Sequence, residues 1–147
     1  MINIFVLLRI LIGLVYIVSG FEKLITPFQN FQYVIQSYAI VPDSWEIMIA
    51  KSFPWIELIS GLFILLGLWT RLFLYSAVLM AVTFMIVVSQ AIFRQLPISE
   101  CGCFGELISL PLQGVLVIDA TLFLCAIFLI ANYQKTILLS LDRHFNE

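Results

Sequence analysis

Residues 72–93 read LFLYSAVLMAVTFMIVVSQAIF and contain no Asp, Glu, Lys or Arg. An uncharged apolar run of about 18 residues or more is long enough to cross the hydrocarbon core of a bilayer as a helix. Thr70-Arg71 stands immediately before it as a minimal turn, and a further apolar run, from about Pro54 to Trp69, precedes that turn. So short a connection folds the two runs into an antiparallel hairpin. Working outward, the runs at 4–21 and 112–131 are equally apolar. The expected fold is therefore all-α: an integral membrane four-helix bundle forming one domain over 1–147, with spans near 4–21, 54–69, 72–93 and 112–131.

Composition agrees. Of the 147 residues 63% are hydrophobic and 11% charged, whereas a soluble domain carries about 25% charged residues. Lipid is the solvent that makes such a chain reasonable. The net charge of −2 and the lack of a basic patch exclude a nucleic-acid partner. The first run carries Arg9 inside it, and no small-x-small cleavage pattern follows Ser19-Gly20. It reads as a retained span rather than a removed signal. Between the first two spans, Phe28 to Ser52 is amphipathic. Phe28, Phe31, Val34, Ile35 and Tyr38 recur near helical spacing among Gln and Asn, the pattern of a helix at the membrane interface or over the mouth of the bundle. Pro42-Asp43-Ser44 breaks it.

Arg9, Arg71, Lys135 and Arg143 fall on one side of such a bundle, and Lys23, Lys51 and Arg94 on the other. The positive-inside rule then gives an N-in, C-in topology. In a bacterial inner (plasma) membrane this puts the loop between the last two spans on the outer, oxidising side.

That loop holds Cys101-Gly102-Cys103-Phe104-Gly105. Two thiols separated by one glycine can close a small strained ring, and a strained disulfide tends to oxidise other thiols. Two ligands of a metal site shared with a partner, and plain structural cysteines, are the other readings of the pair. A zinc site needs four ligands; His144 lies near the far end of the sequence and Cys125 in mid-span, so no metal site is expected within the chain. Cys125 reads as apolar packing.

Ionisable residues at membrane depth form the second group: Arg9, Glu57 and Asp119, with Lys23 at the edge of the first span. Charges there are costly and are expected to face inward and pair. By depth, Lys23 matches Glu57 better than Arg9 does. Either the pairs fix helix register, or they form a proton-handling, polar pocket for a small redox carrier such as a quinone. Gly13, Gly20, Gly61 and Gly67 permit close helix approach. Trp45, Trp55 and Trp69 suit an interfacial belt.

Taken in order, Arg9-x3-Gly13, Ser19-Gly20-Phe21-Glu22-Lys23-Leu24, Pro54-Trp55-Ile56-Glu57-Leu58, Gly61, Gly67, Thr70-Arg71, Cys101-Gly102-Cys103-Phe104-Gly105 and Asp119 resemble the DoxX superfamily, in particular its MauE-like branch. The resemblance covers nearly the whole chain and implies a four-helix membrane fold. It also implies a part in making disulfides in a partner enzyme, as in methylamine dehydrogenase maturation. Other relatives include a membrane subunit of a thiosulfate:quinone oxidoreductase. The logic is similar to that of DsbB and the vitamin K epoxide reductases, which pass electrons from thiols to quinone through a Cys-x-x-Cys pair and a shuttle pair. Here the pair is Cys-x-Cys with no second loop pair, so a thioredoxin-like partner is expected to supply the other thiols. Two functions follow as expectations. One is a thiol-disulfide redox protein cycling Cys101 and Cys103, possessing catalytic thiols and exchanging electrons with quinone. The other is a non-enzymatic assembly factor or small subunit of a quinone-linked oxidoreductase complex, docking through 28–52 and the outer loop.

Overall fold

The computed structural model describes residues 4–98, 111–137 and 141. These form α1 (Ile4–Ile25), α2 (Phe28–Tyr38), α3 (Asp43–Leu66), α4 (Thr70–Phe93), α5 (Leu112–Ala131) and the single turn α6 (Tyr133–Thr136). There is no strand among the described residues. Helices α1, α3, α4 and α5 are each long and apolar enough to cross a membrane. At 1.5 Å per residue they measure about 30 to 36 Å, against a hydrocarbon core of about 30 Å.

Polarity runs opposite to that of a soluble bundle. Leu7, Leu11, Leu14 and Val18 stand on the outside of α1, Trp55, Ile59 and Leu62 on the outside of α3, and Leu79 and Ile86 on the outside of α4. Arg9, Ser19, Lys23, Glu57, Ser60, Thr70 and Asp119 are buried. Water would penalise both halves of that arrangement, and a bilayer favours both.

Helices α1 and α3 run antiparallel with their backbones touching. A Cβ on Gly13 would stand 2.9 Å from the Leu65 nitrogen, one on Gly61 2.7 Å from the Ile17 nitrogen, and one on Gly20 2.6 Å from the Leu58 nitrogen. Only glycine allows this, and van der Waals contact along the seam replaces the hydrophobic drive that lipid cannot supply. Helices α4 and α5 form a second close pair. The pairs are joined by an apolar core that includes Ile12, Ile64, Leu74, Met80 and Leu129, with Cys125 packed against it. The Tyr16 hydroxyl donates to the Ala77 carbonyl at 2.9 Å, and the Ser60 and Ser76 hydroxyls meet at 3.3 Å.

Three boundaries differ from the sequence reading. Helix α1 continues beyond Phe21 to Ile25, because Glu22 and Lys23 are buried instead of marking its exit. Helix α3 starts at Asp43 rather than at Pro54, which sits inside it. Proline removes one donor there, but residues ahead of it still have inward anchors: Ala50 is buried and Glu46 accepts from Gln36 at 2.6 Å. The turn lies at Gly67–Trp69, before Thr70-Arg71. Gly67 is left-handed (φ 69°), its N–H donates to the Ile64 carbonyl, and the Leu68 N–H closes on Phe63 at 3.0 Å. This is a Schellman closure, and it satisfies the last carbonyls of α3.

Candidate functional site

The C-terminal end of α1, the N-terminal part of α3, the C-terminal end of α4 and the N-terminal end of α5 share one end of the bundle, with α2 packed over it. Lys23, one turn beyond Ser19 on α1, points across the glycine seam at Glu57 on α3. Its Nζ donates to Glu57 Oε2 at 2.8 Å and to the Ser19 hydroxyl at 2.7 Å, and that hydroxyl donates to Glu57 Oε1 at 3.3 Å. Both charged side chains are 1% exposed. Gly20 brings the helices near enough for this triangle: a Cβ there would also stand only 3.1 Å from the Glu57 Cβ. Asp119, two turns into α5, is buried within electrostatic range of Lys23 and Glu57.

Next to this cluster lies an apolar pocket of about 160 Å³ lined by α2, α3 and α4, with Phe31, Tyr38, Phe53 and Phe84 among its walls. Phe53 stacks edge-on to Phe84 at 5.4 Å. The Lys23 ammonium stands 5.4 Å from the centre of the Phe31 ring and 5.8 Å from that of Phe84. It thus joins the polar cluster to the aromatic wall through cation–π contacts. Helix α2 closes the pocket as a strap. Lys51 lies over the Phe28 ring at 4.7 Å, Gln36 donates to Glu46, and Arg94 reaches the Tyr38 carbonyl at 3.4 Å. Burial, with Asp119 as a smaller influence, pushes the Tyr38 phenol up to about 12.

Of the residues singled out by sequence, Lys23, Glu57 and Asp119 meet here. Arg9 does not. It lies 14 positions earlier on α1, about 21 Å along the helix axis, where its Nη1 donates to the Thr136 carbonyl at 3.1 Å. Arg9 instead ties the start of α1 to α6 at the other end of the bundle. Cys101 and Cys103 lie outside the described residues, but the flanking positions Ile98 and Pro111 border one pocket at the same end as the cluster. Sequence reasoning missed Ser19, Phe31 and Phe84 as site residues. The spacing of Ser19 and Lys23, four apart on one helical face, was the available signal for the first.

A glycine-sealed, polar-cored helical bundle with an amphipathic strap defines a multi-pass membrane protein. A family model described as "Methylamine utilisation protein MauE" matches residues 1–132, which take in all four spans. The chain belongs to the MauE family. No curated protein and no solved structure matches it.

Proposed function

We propose that this protein is a membrane thiol-disulfide redox protein whose Cys101–Cys103 pair oxidises the thiols of a thioredoxin-like or disulfide-containing partner on the outer face. The observation that carries the reading is the Lys23–Glu57–Ser19 triangle set against an aromatic-walled apolar pocket, at the end of the bundle from which the Cys-Gly-Cys segment departs. In the exchange, two partner thiols become a disulfide while the Cys101–Cys103 disulfide becomes two thiols. Reclosing that disulfide releases two electrons and two protons.

A membrane quinone supplies the acceptor for both. The pocket suits a flat, apolar ring bearing carbonyl oxygens: Phe31 and Phe84 offer ring faces, and the Lys23 ammonium offers a donor beside them. Glu57 and Ser19 hold Lys23 in place, and Glu57 balances its charge in a region where a bare ammonium is costly. Asp119 is the second carboxyl within range for proton handling. The family's own description, methylamine utilisation, supports a role in that process; the outer-face placement of the partner rests on the distribution of Lys and Arg between the loops.

The test is the thiol state of Cys101 and Cys103 in native membranes, trapped by acid and read with a mass-tagged maleimide in a Cys125→Ser background. The pair is expected as a disulfide that becomes a dithiol when the quinone pool is forced reduced. Cys101→Ser and Cys103→Ser are each expected to abolish partner oxidation. Full partner oxidation in the double variant would falsify the proposal.

A further inference from the structure

Two carboxyl groups share one ammonium in the buried cluster. Glu57 has both oxygens engaged, Oε2 by Lys23 at 2.8 Å and Oε1 by the Ser19 hydroxyl at 3.3 Å. Asp119 is 7% exposed, and its Oδ2 has no hydrogen-bond partner among the described residues. Among the described residues, the ionisable groups acting on it come from α1 (Lys23 and Tyr16), α2 (Tyr38) and α3 (Glu57). Helix α4 brings none: its Phe84 and Val88 pack on Val115 and Leu116, the residues one turn ahead of Asp119, and its basic residues Arg71 and Arg94 stand at its two ends. A lone carboxylate in such surroundings is strongly disfavoured, whereas a neutral acid is not.

We infer that Asp119 stands as a neutral carboxylic acid and is the residue that exchanges protons with the pocket, while Glu57 is a positioning residue that fixes Lys23. The division of labour follows from the geometry. Glu57 cannot take up a proton without surrendering the ion pair that holds Lys23 against the aromatic wall. Asp119 can give up or regain one without breaking a bond to that pair. The held proton stands on the cluster alone; its delivery to the pocket rests on the redox reading above.

Infrared spectra of the full chain in lipid nanodiscs at neutral pH provide the test. Aspartates occur only at positions 43, 119 and 142, and Asp43 is exposed. With carbon-13 in the aspartate carboxyls, a protonated-carboxyl band is expected to shift to lower frequency, and the same band is expected to vanish in Asp119→Asn. It is expected to persist in the Cys101→Ser/Cys103→Ser variant. A wild-type spectrum without such a band, or with a band that ignores the aspartate label, overturns the assignment, as does a labelled band that survives in Asp119→Asn. The isotope reads the unmutated protein, so a variant that fails to fold does not weaken the test. Loss of partner oxidation in the thiol variants reports separately on the redox reading.

Discussion

Replacing Gly20 by alanine tests whether the α1–α3 seam is as close as described. The new methyl carbon would lie 2.6 Å from the Leu58 nitrogen, 2.8 Å from the Pro54 carbonyl oxygen and 3.1 Å from the Glu57 Cβ, whereas ordinary contact begins near 3.4 Å. Two of those neighbours are backbone atoms, which have no rotamer to change, so the helices themselves must part. Overpacking of this kind costs about 1–3 kcal/mol. The parting falls one turn from Lys23 and directly beside Glu57, so the 2.8 Å ion pair lengthens with it. Gly114→Ala is the internal control. Among the described residues its methyl group would meet only the Pro111 ring, at 3.6 and 3.7 Å, and replacing a helical glycine by alanine is favourable by up to about 1 kcal/mol. Unfolding in mixed micelles, titrated with a denaturing detergent, should therefore place Gly20→Ala below the wild type and Gly114→Ala at or above it. Equal stability of the two variants would refute the backbone contact and, with it, the explanation of how Lys23 reaches Glu57.

Three further outcomes are expected. Lys23→Met leaves Glu57 buried without its cation and should cost about 3–5 kcal/mol; in the same unfolding assay the Lys23→Met/Glu57→Leu double variant should recover most of that loss, and strict additivity would count against a direct pair. For Tyr38, the phenol ionises in the unfolded chain near its ordinary value of 10.0 but only at about 12 in the fold. The unfolded state therefore holds fewer protons in that window and stability falls as pH rises through it; alkaline unfolding should start later in Tyr38→Phe, and an unchanged profile would place the phenol in water. Arg9→Met removes the bond to the Thr136 carbonyl and should lower thermal stability while leaving the Cys101–Cys103 redox response intact; a lost response would return Arg9 to the site.

Much of this was legible in the sequence because lipid imposes simple demands. The uncharged run at 72–93 and the run at 112–131, whose one charge is Asp119, gave two spans whose bounds match α4 and α5 within two residues. The exits of α1 and α3 were harder to read, and for one reason. Glu22, Lys23 and Glu46 look like residues that leave the membrane, yet all three are buried, and Lys23 and Glu46 meet partners from other helices there. Charge alone reports cost, and only tertiary structure reports compensation. Pro54 misled in the same way, since a proline reads as a helix start until the neighbouring helix is known to press on its carbonyl through Gly20. The Lys23–Glu57 match followed from depth. The aromatic wall did not, because Phe31 and Phe84 stand 53 positions apart and nothing in either local pattern ties one to the other.

The Lys23–Glu57 bond spans 34 positions, and the Arg9–Thr136 bond spans 127. A chain entering the bilayer from its N-terminus presents α1 long before either acceptor exists. Its two cations must first be sheltered by water, lipid headgroups or the insertion machinery. Lys23 is released from that shelter when α3 arrives, at which point the glycine seam can close. Arg9 reaches the Thr136 carbonyl only after α5 has followed. Synthesis therefore imposes a sequence of events: the half carrying the ion pair can set first, and the clamp at the opposite end closes last.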